Sequence, residues 1–310
     1  MIERDSNSKY PDKGVKRMAE LGFLWMTVSQ KYGGGGMDTL SYAIAVEEIS
    51  KVDNSCSVIL SAHNSLACWG IEEYGTEDQK NKYLTKLATG ETIGAFCLSE
   101  PESGSDATKQ RTIAEDKSDY YLLNGTKNWI TNGKKAGIYV VIAQTDPKKG
   151  YKGINAFIVE AGSEGLSTGI KEDKLGIRSS DTSSVMFQDV IVPKEKRLGP
   201  DGFGFKYAMK TLEGGRIGIA SQALGITEGA YELSLEYSKE RKTFGKPISE
   251  HQVIAFKLAQ MATDIEAARL LVHKSAYKKD NLKSYGLSSS MAKLFASEIA
   301  MKHTVEAVQI

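Results

Sequence analysis

The sequence pattern changes at residues 96–106, FCLSEPESGSD, in which a proline and a Gly-Ser-Asp turn follow an apolar run. Before it, apolar residues recur at helical spacing, and after it they alternate with a period of two. The chain therefore changes from helical to β structure here. A loop at such a junction exposes backbone N–H groups without β-ladder partners, and free donors can bind a phosphate or a ring edge.

The region before this loop, residues 1–95, is predicted to be all-α. An apolar stripe includes Val15 and Met18, and further helices are expected over residues 42–49, 57–69 and 78–87. Thr76 is expected to cap the last of them. Residues 32–36, Tyr-Gly-Gly-Gly-Gly, follow no strand and lack a Gly-Lys ending, so we interpret them as a loop between helices and not as a nucleotide-binding motif.

The middle region, residues 96–203, is predicted to be β. Its apolar residues alternate in five runs, at residues 120–123, 127–130, 138–143, 156–159 and 185–192. Asn124-Gly125 and Asn132-Gly133 are typical of tight hairpin turns. We therefore expect an antiparallel sheet or barrel.

The last region, residues 204–310, is predicted to be a helical bundle. Residues 207–237 read as one helix although it contains five glycines, each costing up to about 1 kcal/mol, so another backbone or a ligand is expected to approach closely. These glycines are Gly214, Gly215, Gly218, Gly225 and Gly229. A second long helix carries Ile254, Leu258, Met261 and Ile265 on one face. The final segment, from Ser288, has no C-terminal cap, so we expect the chain to be truncated there.

Composition excludes several classes of protein. Lys plus Arg number 40 against 39 Asp plus Glu, so the net charge of +1 offers no field for a nucleic acid or an anionic membrane. The three cysteines form no Cys-x-x-Cys motif and suit a reducing compartment, and the four histidines show no metal-ligand spacing. No apolar run is long enough to span a membrane, and the polar N-terminus is unlike a signal peptide. We expect a soluble, untargeted protein without a metal.

Four phrases in this α, β, α order resemble the acyl-CoA dehydrogenase family over nearly the whole chain. They are residues 96–106, 129–133 (WITNG), 211–216 (TLEGGR) and 241–248 (RKTFGKPI). The resemblance implies an α+β multidomain fold: an N-terminal all-α domain (1–95), a middle antiparallel β-barrel or sheet domain (96–203) and an incomplete C-terminal α-helical bundle (204–310). It also implies that the first helix of the family is missing ahead of Ile2, so the chain would be truncated at both ends.

The resemblance implies FAD as the cofactor and names residues for it. The residues expected to bind FAD are Phe96, Cys97, Leu98, Ser99, Ser105, Trp129, Ile130, Thr131, Arg241, Phe244, Gln252 and Gln309. Those expected to bind the acyl-CoA are Ser105, Glu213, Gly214, Gly215 and Arg216. Arg241, Phe244 and Gln252 would reach the flavin of a neighbouring subunit, which implies a homodimer or homotetramer.

Each of these motifs also has an interpretation without a ligand. Gly-Ser-Asp can be an ordinary turn, and Trp129 can be a core tryptophan. Glu213 and Arg216, three residues apart on a helix, can form a surface ion pair worth under about 1 kcal/mol. Residues 244–247 can be a helix-ending turn.

The implied reaction is the α,β-dehydrogenation of a short- or medium-chain acyl-CoA to trans-2-enoyl-CoA, with electrons passed to an electron-transfer flavoprotein. The protein would be cytoplasmic, or located in the mitochondrial matrix of a eukaryote. Two alternatives are an inactive fragment that binds FAD and acyl-CoA, and a flavin oxidase on the same fold.

The resemblance names no catalytic residue in this chain. Similar short-chain enzymes carry the base in a Tyr-Glu-Gly-Thr-like segment that follows Gln-Ile by several dozen residues, and Gln309-Ile310 are the last residues here. Other members carry the base where this chain has Gly215. Glu228 and Glu306 read as helix-surface acids and are not candidates. A chain without the Glu segment is expected to be nearly inactive.

Overall fold

The computed structural model of the chain describes residues 1–282 and 284–310. Ten α-helices occur in these residues: α1 (Ile2–Ser6), α2 (Asp12–Glu20), α3 (Thr39–Val52), α4 (Asn54–Ala62), α5 (Trp69–Tyr74), α6 (Glu77–Gln79), α7 (Thr85–Ala88), α8 (Gly204–Glu240), α9 (Gln252–Asn281) and α10 (Gly286–Gln309). Two π-helical turns, His63–Cys68 and Lys80–Leu84, interrupt the N-terminal helices. Short 3₁₀ turns lie at Phe23–Trp25, Gln30–Tyr32, Pro147–Gly153, Lys194–Lys196 and Ile248–Glu250.

Ten strands account for the β structure in the same residues: β1 (Gly94–Cys97), β2 (Ile113–Asp116), β3 (Tyr120–Thr131), β4 (Ile138–Gln144), β5 (Ile154–Glu160), β6 (Leu166–Lys171), β7 (Thr182–Pro193), β8 (Arg197–Leu198), β9 (Lys242–Thr243) and β10 (Lys246–Pro247). The expected order of a helical N-terminal region, a central sheet and a helical C-terminal region is confirmed. Thr76 caps α6 as predicted, because its hydroxyl accepts from the backbone N–H of Gln79 while the Gln79 side chain accepts from Thr76 N.

Eight strands form one sheet in the order β6-β7-β3-β2-β4-β5-β8, with β1 added beside β4. Most pairs are antiparallel, but β1 and β2 each run parallel to β4. Among the described residues the sheet path does not close, so the barrel alternative is not confirmed.

Both predicted hairpin turns in this region are wrong. Asn124 and Gly125 lie inside β3, where a register shift against β7 accompanies a φ of +148° at Gly125. Asn132 and Gly133 do follow β3 in a turn, but β3 pairs with β2 and β7 and not with the next strand, β4. Asn-Gly favours positive φ, which a bulge or an open turn uses as well as a hairpin does.

The chain forms two compact units. The sheet unit comprises residues 2–37 and 59–212, and the helical unit comprises Met1 with residues 38–58 and 213–310. In the sheet unit one core cluster joins Phe96, Val140 and Ile158 to helical residues such as Leu84 and Tyr207. A second cluster lies on the other face of the sheet and includes Tyr121, Val141 and Val185.

The helical unit packs α3, the second part of α8, α9 and α10 around a core of small and branched residues, among them Ala43, Leu224, Ala268 and Ala296. The predicted close approach at the glycines of α8 occurs in this unit. A Cβ at Gly225 would lie 2.2 Å from the carbonyl oxygen of Glu47, and one at Gly229 would lie 2.6 Å from that of Lys51.

The residues that the structure describes include no helix that combines the length and the apolar character needed to cross a membrane.

Candidate active site

Strand β1 leads into the loop of residues 96–106, and successive side chains at the end of this strand point to opposite faces of the sheet. Phe96 and Leu98 are buried in the cluster that faces the helices, whereas Cys97 points to the opposite face and is fully buried. Burial raises the pKa of the Cys97 thiol to about 12, so this thiol is inert. A ligand can therefore meet Cys97 only through its backbone.

The loop after β1 is closed on itself and tied to β3. Glu100 and Ser103 exchange backbone hydrogen bonds of 2.9 and 3.2 Å, and the Ser103 hydroxyl donates to the carbonyl of Asp106. The Ser99 carbonyl accepts from the backbone N–H of Asn128 at 2.8 Å. Ser105, at the outer side of the loop, is exposed. The loop is thus a fixed turn whose polar tip remains open to solvent.

Trp129 is not a core residue. Its φ is +62°, its side chain is 62% exposed, and the pairing of β3 with β7 shifts register between Lys127 and Ile130. A bulky residue with positive φ is a backbone outlier, and such outliers cluster at functional sites. The bulge turns the indole outward and leaves Ile130 buried, while Thr131 pairs with Thr182 and is half-buried.

The turn after Thr131 is fixed by Asn132 and by Asp181, a residue that the sequence did not single out. Asn132 donates its backbone N–H to the Asp181 carbonyl at 2.7 Å and its side-chain amide to the Gly94 carbonyl at 3.1 Å. The Asp181 carboxylate accepts from the backbone N–H groups of Lys134 and Lys135. The Asn-Gly dipeptide was the only available signal for this turn, and it indicated a different role.

In the helical unit, the EGGR phrase lies on α8 facing the start of α10. A Cβ at Gly286 would lie 3.2 Å from Glu213 Oε1, and one at Gly214 would lie 3.7 Å from the Tyr285 hydroxyl. Arg216 is half-buried, and no acidic side chain of residues 1–282 or 284–310 forms an ion pair with it. The Glu213–Arg216 surface pair is therefore not seen, and the guanidinium of Arg216 is available to a ligand.

The predicted helix-ending turn at residues 244–247 is instead the turn and second strand of a two-stranded hairpin, β9 and β10. Thr243 pairs with Lys246, and the two turn residues Phe244 and Gly245 have φ of +52° and +78°. Two positive φ values between paired strands are typical of a type I′ turn. Phe244 at this tip is 96% exposed. Arg241, just before the hairpin, is exposed as well, and its carbonyl accepts from Ile248 N at 2.8 Å.

The remaining predicted FAD residues lie on the surface of the helical unit. Gln252 is exposed at the first turn of α9 and Gln309 is exposed at the end of α10. Gln309 lines an open groove of about 550 Å³ together with Leu233, Tyr237 and Val308. The structure thus brings Phe96–Ser99 and Trp129–Thr131 together in one unit, and it places Glu213–Arg216, Arg241, Phe244, Gln252 and Gln309 in the other.

Glu228 differs from the expected helix-surface acid. Its carboxylate lies 3.0 Å from Lys51 Nζ and 2.8 Å from Arg269 Nη2, and its side chain is only 17% exposed. Arg269 also binds Glu47. Glu228 therefore belongs to a half-buried ionic cluster. Glu306 pairs with Lys257. Both acids are engaged in ion pairs, and neither is assigned as a base.

Three family models match the chain in sequence order. They describe the N-terminal domain of acyl-CoA dehydrogenase (residues 1–91), its middle domain (residues 95–190) and its C-terminal domain (residues 202–310). The chain belongs to the acyl-CoA dehydrogenase family. The expected truncation is not borne out by these matches.

Individual relatives are similar along almost the whole chain. The short-chain specific acyl-CoA dehydrogenase of Clostridium acetobutylicum is 50% identical over 99% of this chain and 81% of its own length. The structure of butyryl-CoA dehydrogenase from Megasphaera elsdenii has a TM-score of 0.97 at 50% identity, covering 99% of this chain and 81% of that one. A structure described under the electron transferring flavoprotein of Acidaminococcus fermentans has a TM-score of 0.98, again at 50% identity, with the same shares of the two chains covered.

Proposed function

We propose that the chain is a FAD-dependent acyl-CoA dehydrogenase acting on short-chain acyl-CoA, an oxidoreductase of CH–CH groups. The observation that carries this proposal is the outward-turned Trp129 beside the fixed loop of residues 96–106. The family to which the chain belongs supports it, and the similarity to a butyryl-CoA dehydrogenase favours a short acyl chain.

The residues present fit a flavin. A flat ring needs an aromatic or apolar face and a few hydrogen-bond donors, and the Trp129 indole provides such a face. The half-buried Thr131, two residues further along β3, offers a hydroxyl, and a donor near the ring would stabilise negative charge arriving on it. When bound, FAD supplies the acceptor for the β-hydrogen of the thioester, which leaves as hydride.

In this reaction the chain's own residues would bind and orient the acyl-CoA. Arg216 would bind the acyl-CoA through its guanidinium, whose several donors form a fixed fork suited to anions and carbonyl oxygens. Glu213 and the two glycines beside it would let the ligand approach the helix backbone. Ser105, exposed on the loop of the sheet unit, would contact the CoA moiety.

We further propose that the enzyme is a homo-oligomer whose FAD site is shared between subunits. The support is the exposed hairpin. Phe244 is 96% exposed with positive φ, and its ring contact in the subunit is an edge contact with His251 at 6.0 Å, whereas Arg241 beside it suits a pyrophosphate. The electron partner is an electron-transfer flavoprotein. The location is cytoplasmic or, in a eukaryote, the mitochondrial matrix, and the three buried free cysteines suit such reducing compartments. The division into domains at residues 95/96 and 203/204 is part of the same proposal.

The functional assay is the oxidation of butyryl-CoA with an artificial electron acceptor, with hydrogen peroxide measured in parallel under air. The chain extended by a Tyr-Glu-Gly-Thr segment should reduce the acceptor without releasing peroxide, and peroxide release in place of acceptor reduction would identify a flavin oxidase. Neither that alternative nor the inactive fragment is favoured by the relatives found.

The near-inactivity expected of a chain without the Tyr-Glu-Gly-Thr segment stays a prediction. It is tested by comparing this chain with one extended by that segment in the same assay. A positioned general base contributes about 10²–10⁴-fold, so the extended chain should be faster by that order. Equal rates would place the base among residues 1–310.

A further inference from the structure

Lys127 is a charged residue at a core position. Its side chain is fully buried on β3, and all three ammonium protons have acceptors: the Leu98 carbonyl at 3.1 Å, Glu100 Oε1 at 2.6 Å and Gln110 Oε1 at 2.5 Å. Burial lowers the pKa of Lys127 to about 8, although Glu100 opposes that change. Strand β3 thus places a cation in the core, next to the loop of residues 96–106 and the segment 107–112 that follows it.

Glu100 connects Lys127 to the backbone that follows the loop. Its carboxylate also accepts from the backbone N–H of Arg111 at 2.6 Å and of Thr112 at 3.0 Å. Burial alone would raise the pKa of Glu100, but Lys127 and these donors outweigh burial and lower it. Gln110 completes the network, because its amide donates to the Ser103 hydroxyl at 3.1 Å. Leu98, the turn at Ser103 and residues 110–112 are therefore all connected to the buried Lys127–Glu100 pair.

A buried ion pair contributes little net stability to a fold compared with apolar residues. Desolvating two charges costs about as much as their attraction returns, and apolar residues of similar volume often serve as well. What an ion pair adds is directionality, since only one arrangement satisfies all its donors and acceptors. Here the hydrogen bonds join two segments of the candidate flavin site, the loop of residues 96–106 and strand β3. Lys127 donates to the Leu98 carbonyl, and the backbone N–H of Asn128, the residue before Trp129, donates to the Ser99 carbonyl at 2.8 Å.

We propose that Lys127 and Glu100 form a positioning pair that sets the loop of residues 96–106 in register with Trp129 and Thr131, so that the two segments present one preformed surface to the flavin. This inference rests on the proposed FAD binding. Neither residue is assigned a contact with the cofactor; both act through the loop and the strand that they connect.

The test uses three variants of the full chain, Lys127→Met, Glu100→Gln and the double variant, with Lys196→Met as a matched control. Lys196 forms an ion pair with Glu160 at 2.9 Å in the same unit, and no hydrogen bond or ion pair joins its side chain to the described residues 96–112. Two quantities are measured: the FAD dissociation constant with the absorption spectrum of the bound flavin, and the hydrogen-exchange rates of the Arg111, Thr112 and Asn128 amides in cofactor-free protein.

We expect Lys127→Met to raise the FAD dissociation constant at least tenfold, to shift the flavin spectrum and to accelerate exchange at these three amides at least tenfold. Glu100→Gln should act in the same direction with a smaller change. The double variant should change FAD affinity and amide exchange no more than Lys127→Met alone, because the two residues act as a unit. The control should stay within twofold of the unsubstituted chain in both measurements.

A folded Lys127→Met variant with unchanged FAD affinity, spectrum and exchange would overturn the proposal, even if its melting temperature were lower. If Lys127→Met does not fold, Glu100→Gln decides by the same criteria. An unsubstituted chain that takes up no FAD overturns both this inference and the proposed function. FAD binding that is insensitive to the variants overturns the inference alone.

Discussion

Lys127 and Trp129 are two residues apart on one strand, yet the first is fully buried and the second is 62% exposed. Residues at this spacing normally share a face of the sheet. The left-handed backbone at Trp129 and the register shift beside it break the alternation, so that Ile130 takes the inward position.

Trp129→Gly should therefore separate stability from cofactor binding. Glycine tolerates positive φ, and the indole is mostly exposed, so the melting temperature of the cofactor-free chain should stay the same or rise. Loss of the indole should weaken FAD binding by about tenfold, or about 1.4 kcal/mol. Thermal unfolding and a flavin titration measure the two effects. A large loss of stability with unchanged FAD affinity would return Trp129 to a structural role.

Arg216→Ala should weaken acyl-CoA binding without unfolding the helical unit. Since Arg216 has no acidic partner among the described residues, its removal should cost little stability. The loss of a charge-assisted contact should reduce affinity for butyryl-CoA by more than the fraction of a kcal/mol typical of a surface pair. Lys239→Ala removes an exposed cation from the same helix and serves as the control. Equal effects of the two substitutions on butyryl-CoA affinity, measured by calorimetry, would refute the assignment.

Phe244→Ala tests the shared cofactor site. The side chain is 96% exposed, so a subunit on its own should be as stable as before. If the hairpin reaches the flavin of a neighbouring subunit, the variant should bind FAD less tightly, and FAD binding by the unsubstituted chain should weaken on dilution as the oligomer dissociates. Flavin titrations at several protein concentrations, with sedimentation to follow assembly, provide the readout. Concentration-independent binding by a monomer would contradict the prediction.

Gly225→Ala should destabilise the helical unit by about 1–3 kcal/mol. The added methyl would lie 2.2 Å from the Glu47 carbonyl oxygen, so the α3 and α8 backbones would have to separate. Gly214→Ala is the control within the same helix, because its nearest neighbour would lie at an ordinary 3.5 Å. Denaturant unfolding of the two variants should show the difference, and equal stabilities would contradict the close packing.

His63 should make stability depend on pH between about 6.5 and 4. The imidazole is fully buried, its Nδ1 accepts from Gly94 N at 3.1 Å, and burial lowers its pKa from 6.5 to about 4. Between these values the unfolded chain binds more protons than the folded one, so stability rises with pH across this window and is lost as pH falls through it. The loss should approach about 3 kcal/mol at pH 4. His63→Gln should flatten this part of the unfolding curve, and an unchanged slope would exclude His63 as the cause.

The sequence predicted those parts of the fold that depend on local periodicity. The order of helical, β and helical regions, the Thr76 cap and the close approach at Gly225 and Gly229 all follow from spacing and residue type. Strand pairing was not predictable, because Asn124-Gly125 favours positive φ equally in a hairpin and in a bulge. The burial of Lys127 was not predictable either. A lysine on a strand is expected to be solvent-exposed, because its buried partner, Glu100, lies 27 residues earlier in the chain.

FAD binding is tested directly by the visible absorption spectrum of the purified, folded chain after addition of FAD and removal of the excess. The protein should be yellow, with one FAD per chain and a flavin band that changes when butyryl-CoA is added under anaerobic conditions. A folded chain that retains no flavin would contradict FAD binding by this protein.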